Sequence, residues 1–318
     1  MRETIEGRDL IELKGRDGIV RGTYHRARCR NSGGERPRIG LLFLSGLSQT
    51  RAANGDSAVY WARSLAECGY PVVRLDLPGF GDSDGDPSTE LLAFINRGGY
   101  APIVSAAIDE LVTRFDLAGV IIVGHCTGTV SAIFTAANNK RCKGLVLLDP
   151  IFYVPQAESN ILKVRRRVHD LVLRCHLDAF LTKIYDSLRE LWLSLRGSAP
   201  PENANFPLLG RWKELASTGL PILILRSPGS KAPGTKTRTG EFDYLKHVLE
   251  LAGRKSRVEF QVAEGANHSF ANGQGRIAVL ELTEHWLRAN FPLAEPDNSN
   301  ATTFSDAPTL RWESGVAK

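Results

Sequence analysis

The run Val123-Gly124-His125-Cys126-Thr127-Gly128 sets a thiol between an apolar segment, Val120 to Val123, and an apolar-faced helical segment, Thr127 to Ala137. A nucleophile on such a sharp strand-to-helix turn is held clear of its surroundings. Glycines two positions before and after it let the two backbones approach where any side chain would collide. The attacking form of cysteine is the thiolate, which a nearby imidazole and a helix N-terminus both favour. Of the seven histidines, His268 follows the last apolar strand pattern, in Glu264-Gly265-Ala266-Asn267-His268-Ser269-Phe270. His25 falls on an early strand, His169, His176, His247 and His285 fall on helical patterns, and His125 lies inside the turn. Cys126 and His268 are therefore the candidate nucleophile and general base. The competing readings are a buried structural thiol and a surface-loop histidine.

The elements that must position these groups follow from hydrophobic periodicity. Leu10 to Leu13 and Ile19 to Arg26 read as an antiparallel hairpin turning at Gly15-Arg16-Asp17-Gly18. Short apolar strands then alternate with helices: strands at Ile39–Leu44, Val72–Leu75, Val120–Val123, Leu145–Leu148, Ile222–Leu225 and Val258–Val262, and helices at Ser57–Cys68, Ile103–Phe115, Thr127–Ala137, Phe242–Leu251 and Arg276–Ala289. Wholly apolar strands separated by helices predict a mostly parallel sheet covered on both faces. The alternation stops between Ile151 and Trp212, where apolar residues recur at helical spacing from Ile161 to Leu195. This segment, 151–212, is expected as a helical cap inserted into a core formed by 1–150 and 213–293. The polar stretch 294–318 is expected as a disordered tail.

With these landmarks in order, the chain resembles the α/β-hydrolase superfamily, whose usual turn is Gly-x-Ser-x-Gly. The run Arg74-Leu75-Asp76-Leu77-Pro78-Gly79-Phe80-Gly81-Asp82-Ser83 looks like that family's turn after the strand preceding the elbow, and Glu264 to Phe270 looks like its histidine loop. The likeness runs from about Arg38 to Phe291. Cys126 departs from the usual serine and is similar to the cysteine branch typified by dienelactone hydrolase, to thioesterase-type members and, more loosely, to cysteine hydrolases found with bacterial surface-polysaccharide systems. The resemblance implies an α/β-hydrolase fold and a third catalytic residue, an acid that orients the imidazole. Asp149, which ends the Gly144–Leu148 strand, matches the acid of thioesterase domains. The more common family position falls near Ser227 to Lys231, which holds no carboxylate, so Asp243 or Glu241 on the following segment remains an alternative. The fold also implies an oxyanion hole from the backbone N–H groups of Thr127 and of Leu47 or Ser48, with Gly46 permitting close approach.

Composition bounds the partners. Five cysteines, odd in number and far apart, argue against a disulfide scaffold or paired zinc ligands, and are read as reduced thiols in a cytoplasmic protein. No stretch approaches the ~20 apolar residues of a membrane span, and Met1 to Leu10 lacks a leader pattern. A net charge of +5 is too small to imply a nucleic-acid partner. No metal-binding or nucleotide-binding motif is present, so no cofactor is implied. Basic clusters at Lys163, Arg165, Arg166 and Arg167 and at Lys231 in the loop Arg226 to Gly240 are candidate contacts for coenzyme A phosphates or an acyl carrier protein, unless they are simply solvated. With Gly46, Ser48 and His125, these complete the expected substrate-contacting set. The expected activity is hydrolysis of a thioester, ester or lactone through an acyl-cysteine. Acyl transfer or cyclisation through the same intermediate is one alternative, and a non-catalytic binding protein on this fold is the other.

Overall fold

A computed structural model describes residues 7–15, 18–28, 38–47, 49–154, 200–201, 203–228, 236–237 and 240–293. The chain opens with strands β1 (Arg8–Gly15) and β2 (Gly18–His25), paired antiparallel, and continues through β3 (Arg38–Leu44), α1 (Ser57–Glu67) and β4 (Val72–Leu75). Next come α2 (Leu91–Asn96), α3 (Ala101–Arg114), β5 (Leu117–His125), α4 (Gly128–Ala136) and β6 (Cys142–Leu148). After the insertion follow α5 (Phe206–Ser217), β7 (Ile222–Arg226), the small hairpin β8 (Lys236–Thr237) and β9 (Gly240–Glu241), α6 (Tyr244–Ala252), β10 (Val258–Val262) and α7 (Gly273–Asn290). Eight strands form one sheet in the order β1-β2-β4-β3-β5-β6-β7-β10, parallel from β4 onward. This is the α/β-hydrolase architecture expected from the alternating pattern.

Strand parity divides the interior into two cores. Leu42, Leu44, Val120, Ile122, Leu145, Leu147, Ile222 and Ile224 face the layer built by α3, α4, α5 and α6, whereas their sequence neighbours Leu41, Phe43, Ile121, Val123, Val146, Leu148, Leu223 and Leu225 face α1 and α7. Successive side chains of a strand point to opposite faces, so strands apolar at every position are stable only where both faces are covered. On one side Trp61 and Leu65 of α1 and Trp286 and Leu287 of α7 supply that cover. On the other, Val104 and Ile108 of α3 and Leu208 and Trp212 of α5 supply it.

The segments flanking residues 155–199 meet at one place. Val154 N–H donates to the Asn203 carbonyl at 2.8 Å, Asn205 N–H donates to the Phe152 carbonyl at 2.9 Å, and Tyr153 bridges Ala204. Asn205 also caps α5, its side-chain oxygen accepting from Leu208 N–H at 3.1 Å. The boundary expected at residue 212 thus falls within a continuous helix, whose Trp212 is fully buried in the main core. Helical spacing alone does not separate a cap helix from a core helix, because both carry an apolar stripe. Residues 155–199, and with them the body of the expected cap, lie outside the described residues, as does 294–318.

A buried ionic cluster fixes the segment after β4. Asp76 is fully buried and accepts from the backbone N–H of Asp82 at 3.1 Å and from the Arg51 guanidinium, which also reaches Asp82 at 2.7 Å. Arg74 donates to the Arg51 carbonyl at 2.8 Å and to His25 Nε2 at 3.1 Å, and Ser83 Oγ donates to the Asp76 carbonyl at 2.7 Å. Gly81, at φ 55°, lies against the Asp76 carboxylate where a Cβ would collide. The Asp-x-x-Gly-x-Gly pattern is therefore explained by packing onto a buried carboxylate.

Replacing Trp212 with Ala is expected to cost about 3–5 kcal/mol, the range for truncating a large buried aromatic residue. The indole also donates to the Val248 carbonyl at 2.7 Å and packs edge-on against Phe152 at 5.5 Å. A denaturant midpoint unchanged from wild type would remove α5 from the cooperative core.

Candidate active site

The turn between β5 and α4 carries Cys126 at φ 54°, a left-handed conformation that costs a non-glycine residue on the order of 1 kcal/mol or more. It is held from both sides: Cys126 N–H donates to the Leu148 carbonyl at 3.0 Å, and Thr129 N–H donates to the Cys126 carbonyl at 3.1 Å. A Cβ on Gly124 would stand 2.8 Å from the Gly128 carbonyl oxygen, and one on Gly128 would stand 2.8 Å from the Ser45 carbonyl oxygen. These two glycines permit the close crossing that puts Cys126 at the head of α4. A Cβ on Gly46 would lie 3.3 Å from Cys126 Cβ, so the turn after β3 sits directly beside the thiol.

His268 lies in the turn after β10 and shares a 2.9 Å hydrogen bond between Nδ1 and Asp149 Oδ2. Cys126 lies close enough to act on the ring's charge. Asp149 is buried at the end of β6, at φ 46°, and accepts two further bonds, from Ser227 N–H at 2.9 Å and from Ser227 Oγ at 2.7 Å. Its carboxylate is thus satisfied on both oxygens. The hydrogen bond to Asp149, and then the neighbouring Cys126 side chain, raise the His268 pKa from 6.5 to about 10, against an opposing effect of burial. The folded value exceeds the ordinary imidazole value, so the protonated ring's contribution to folding is complete below pH 6.5 and is lost as pH rises through about 10. With the side chain 52% exposed, solvent screens that contribution.

The two acid alternatives separate cleanly. Asp149 meets His268, while Asp243 caps α6, accepting from Lys246 N–H at 3.0 Å. Its sequence position matched the histidine's usual partner only in order along the chain. The Glu241 side chain lies outside the described residues. Ser227, missed in the sequence reading, begins the segment where the family more commonly carries the acid, and here its backbone and hydroxyl both hold Asp149. The only available clue was the lack of a carboxylate in that segment.

His125, expected among the substrate contacts, is buried beneath the histidine loop. Its Nε2–H donates to the His268 carbonyl at 2.9 Å, its ring meets Phe270 edge-on at 5.7 Å, and burial lowers its pKa, keeping it neutral. It braces the loop from below and does not line the cavity. The nearby cavity is small, about 20 Å³ and partly open to solvent, and Gly46, Leu47, Gln49 and Thr127 are among its walls. Ser48, Arg165, Arg166 and Lys231 lie outside the described residues. Tyr153, also missed from sequence, lies within electrostatic reach of Cys126. Burial pushes its phenol up to about 12, so it stays protonated. Among the described residues no three His, Cys, Asp or Glu side chains converge as metal ligands, and no helix is long and apolar enough to cross a membrane.

The sequence profile described as the alpha/beta hydrolase family matches residues 41–280. The chain belongs to the α/β-hydrolase family. That match spans β3 to α7 and contains the elbow, the buried-aspartate turn and the histidine loop. A 2-hydroxy-6-oxononadienedioate/2-hydroxy-6-oxononatrienedioate hydrolase of Cupriavidus pinatubonensis is 28% identical over 145 residues, covering 44% of this chain and 46% of the relative. Human protein ABHD12B is 25% identical over 228 residues, covering 70% of this chain and 52% of the relative, so the chain spans about half the length of these curated relatives. Among solved structures, dienelactone hydrolase from Anabaena variabilis superposes with a TM-score of 0.53 at 13% identity, covering 90% of this chain and 99% of that one. At that identity the likeness concerns the fold alone.

Asp149→Asn is expected to move the His268 titration down from about 10 toward the ordinary imidazole range. A two-dimensional NMR titration of the ring checks this, and an unmoved midpoint would remove Asp149 as its cause. His125→Phe keeps a ring against Phe270 but strands the His268 carbonyl, for an expected loss of about 1–3 kcal/mol in stability. Chemical denaturation reads it directly.

Proposed function

We propose that the chain is an acyl hydrolase acting on a thioester, ester or lactone through a covalent acyl-Cys126 intermediate, with His268 and Asp149 completing the triad. The observation that supports this reading is that Asp149 holds the His268 ring at 2.9 Å beside the Cys126 turn, and this setting raises the imidazole pKa to about 10. A histidine that must deprotonate a serine hydroxyl needs to be neutral at rest. A protonated imidazole instead suits a thiolate partner, because the thiolate–imidazolium pair is itself the reactive state.

In the first half-reaction the Cys126 thiolate attacks the carbonyl carbon. A carbon–sulfur bond forms, and the π electrons move to oxygen, where the backbone N–H groups of Thr127 and Leu47 receive the developing charge. Collapse expels the thiolate or alkoxide leaving group, which takes the Nε2 proton of His268. Neutral His268 then removes a proton from water as its oxygen attacks the acyl-cysteine, and collapse releases the acid and restores the Cys126 thiolate. Asp149 keeps Nδ1 as a donor throughout and steadies the charged ring. A thioester substrate fits this scheme well, since acyl transfer between two sulfurs is nearly isoenergetic. Coenzyme A or a carrier protein as the leaving group rests on the basic sequence clusters at Arg165, Arg166 and Lys231. Replacing the deacylating water with an amine or alcohol would give the acyltransferase alternative with the same intermediate.

Intact mass of the protein incubated with a panel of acyl thioesters and activated esters tests the reading. The expected result is an adduct of acyl mass that requires Cys126 and outlives wild type in His268→Ala. Cys126→Ser is expected to lose on the order of 10²-fold or more in turnover, because a serine hydroxyl ionises far less readily than a thiol. Absence of both adduct and turnover across the panel would favour a binding protein on this fold instead.

A further inference from the structure

The sheet ends in an open edge at β10, which has β7 on one side and no strand on the other among the described residues. Ile222 N–H donates to the Arg257 carbonyl at 3.0 Å and Ala263 N–H donates to the Arg226 carbonyl at 2.8 Å, so odd-numbered positions turn their backbone groups toward β7. Alternation then turns the N–H and C=O groups of Val258, Phe260 and Val262 outward. Their side chains share the α6 face of the sheet, where Phe260 forms an open groove with Leu245 and Leu249 of α6. Two of the six large apolar side chains exposed among the described residues are Phe260 and Val262, each 38% exposed, so exposed hydrocarbon is concentrated on this strand. Edge strands that avoid pairing carry charges or proline. The opposite edge strand, β1, has Arg8, Asp9, Glu12 and Lys14 beside its exposed Leu10, whereas the outward positions of β10 are all apolar.

We propose that β10 is the interface with a second copy of this chain, the two β10 strands pairing antiparallel about a two-fold axis at Phe260 to make one continuous sheet. The strand itself sets this register. An axis at Phe260 pairs Phe260 with its own copy and Val258 with Val262 of the second copy, which uses all three outward residues. An axis at Glu259 or Gln261 leaves one outward residue of β10 without a β10 partner, and the first also sets Glu259 against itself. On the α7 face, the Phe260 register places Glu259, which accepts from Asn290 at 3.4 Å, opposite the amide of Gln261 in the second copy. Charge is complementary along the same line. Arg254, Lys255 and Arg257 precede the strand and Glu264 follows it, so antiparallel pairing brings the basic end of each copy to the acidic end of the other. The two-fold axis also sets both α6 helices on one face, where Leu245, Leu249 and Phe260 of each copy cover the other's groove. The chain's own C-terminal segment is a poorer occupant. A Cβ on Gly69 would stand 2.7 Å from Leu293 Cδ1, so the described chain ends beside the start of β4, five strands from β10.

Analytical ultracentrifugation of the full chain over a range of concentrations reads the association directly, since the dimer fraction depends on protomer concentration. Wild type is expected to sediment as a dimer that dissociates on dilution. Phe260→Lys, which sets two like charges on the axis, is expected to raise the dimer dissociation constant by on the order of 10²-fold. Glu264→Lys is expected to raise it by roughly tenfold, and adding Lys255→Glu and Arg257→Glu to that chain is expected to recover most of the loss, because both signs are then exchanged. A folding defect does not produce such a recovery, and circular dichroism of each variant checks folding separately. A wild type that stays monomeric at every concentration, or a dimer that Phe260→Lys does not weaken, overturns the proposal. Absence of recovery in the exchanged chain overturns the antiparallel register on which it rests. A monomer that dimerises only after residues 294–318 are removed overturns it as well, by assigning the edge to the chain's own C-terminal segment.

Discussion

The site depends on how closely the N-terminus of α4 can approach the C-terminal ends of β3 and β5. Gly124 and Gly128 leave no room for a Cβ between the crossing backbones, and Cys126 takes the left-handed conformation that the tight turn demands. Strain of this kind persists only where the surroundings over-determine it. Here strands β5 and β6, whose Val120–Val123 and Leu145–Leu148 stretches are apolar and covered on both faces, provide that constraint, and the Cys126 N–H is tied to the end of β6. The rest of the site is arranged around Cys126, whose position is set by this crossing.

The acid is held by a similar logic. Asp149 follows β6 directly, so the same strand end that anchors Cys126 also carries the carboxylate. β7 lies next to β6 in the sheet, and its last residues lead to Ser227, which donates twice to Asp149. β10, beyond β7, leads into the histidine loop. Three neighbouring parallel strands therefore present their C-terminal ends together, and a parallel sheet does this without further instruction because all its strands point the same way. His125 adds a tie from the elbow to the His268 backbone, linking the neighbour of Cys126 to the histidine loop through one neutral imidazole. The buried cluster of Asp76, Arg51 and Arg74 performs the equivalent task on the other side, fixing the segments that carry Gln49 and Phe80.

Most of the fold was legible because its signals are local. Apolar runs of strand length separated by amphipathic helical segments specify a covered parallel sheet, and observed strands and helices fall close to the expected bounds. The short α2 was missed: six residues are too few for periodicity to register. The inner edge of the insertion was also misplaced, since the stripe of α5 looks the same whether it faces a cap or a core. What decides between them is contact with Val248 and Phe152, which are distant in sequence.

The amino-acid order alone determined the chemistry-bearing residue types and their places on the topology: a thiol between two glycines at a strand end, a histidine after the last strand, and a carboxylate after β6. These follow from short-range steric rules and from strand order, both of which are written along the chain. Tertiary structure decided which carboxylate meets His268, that Ser227 holds it, and that His125 turns inward. Each of these is a relation between side chains from different strands and loops. Sheet register and the close packing of α4 set the distances between them, and neither quantity is encoded in any one segment.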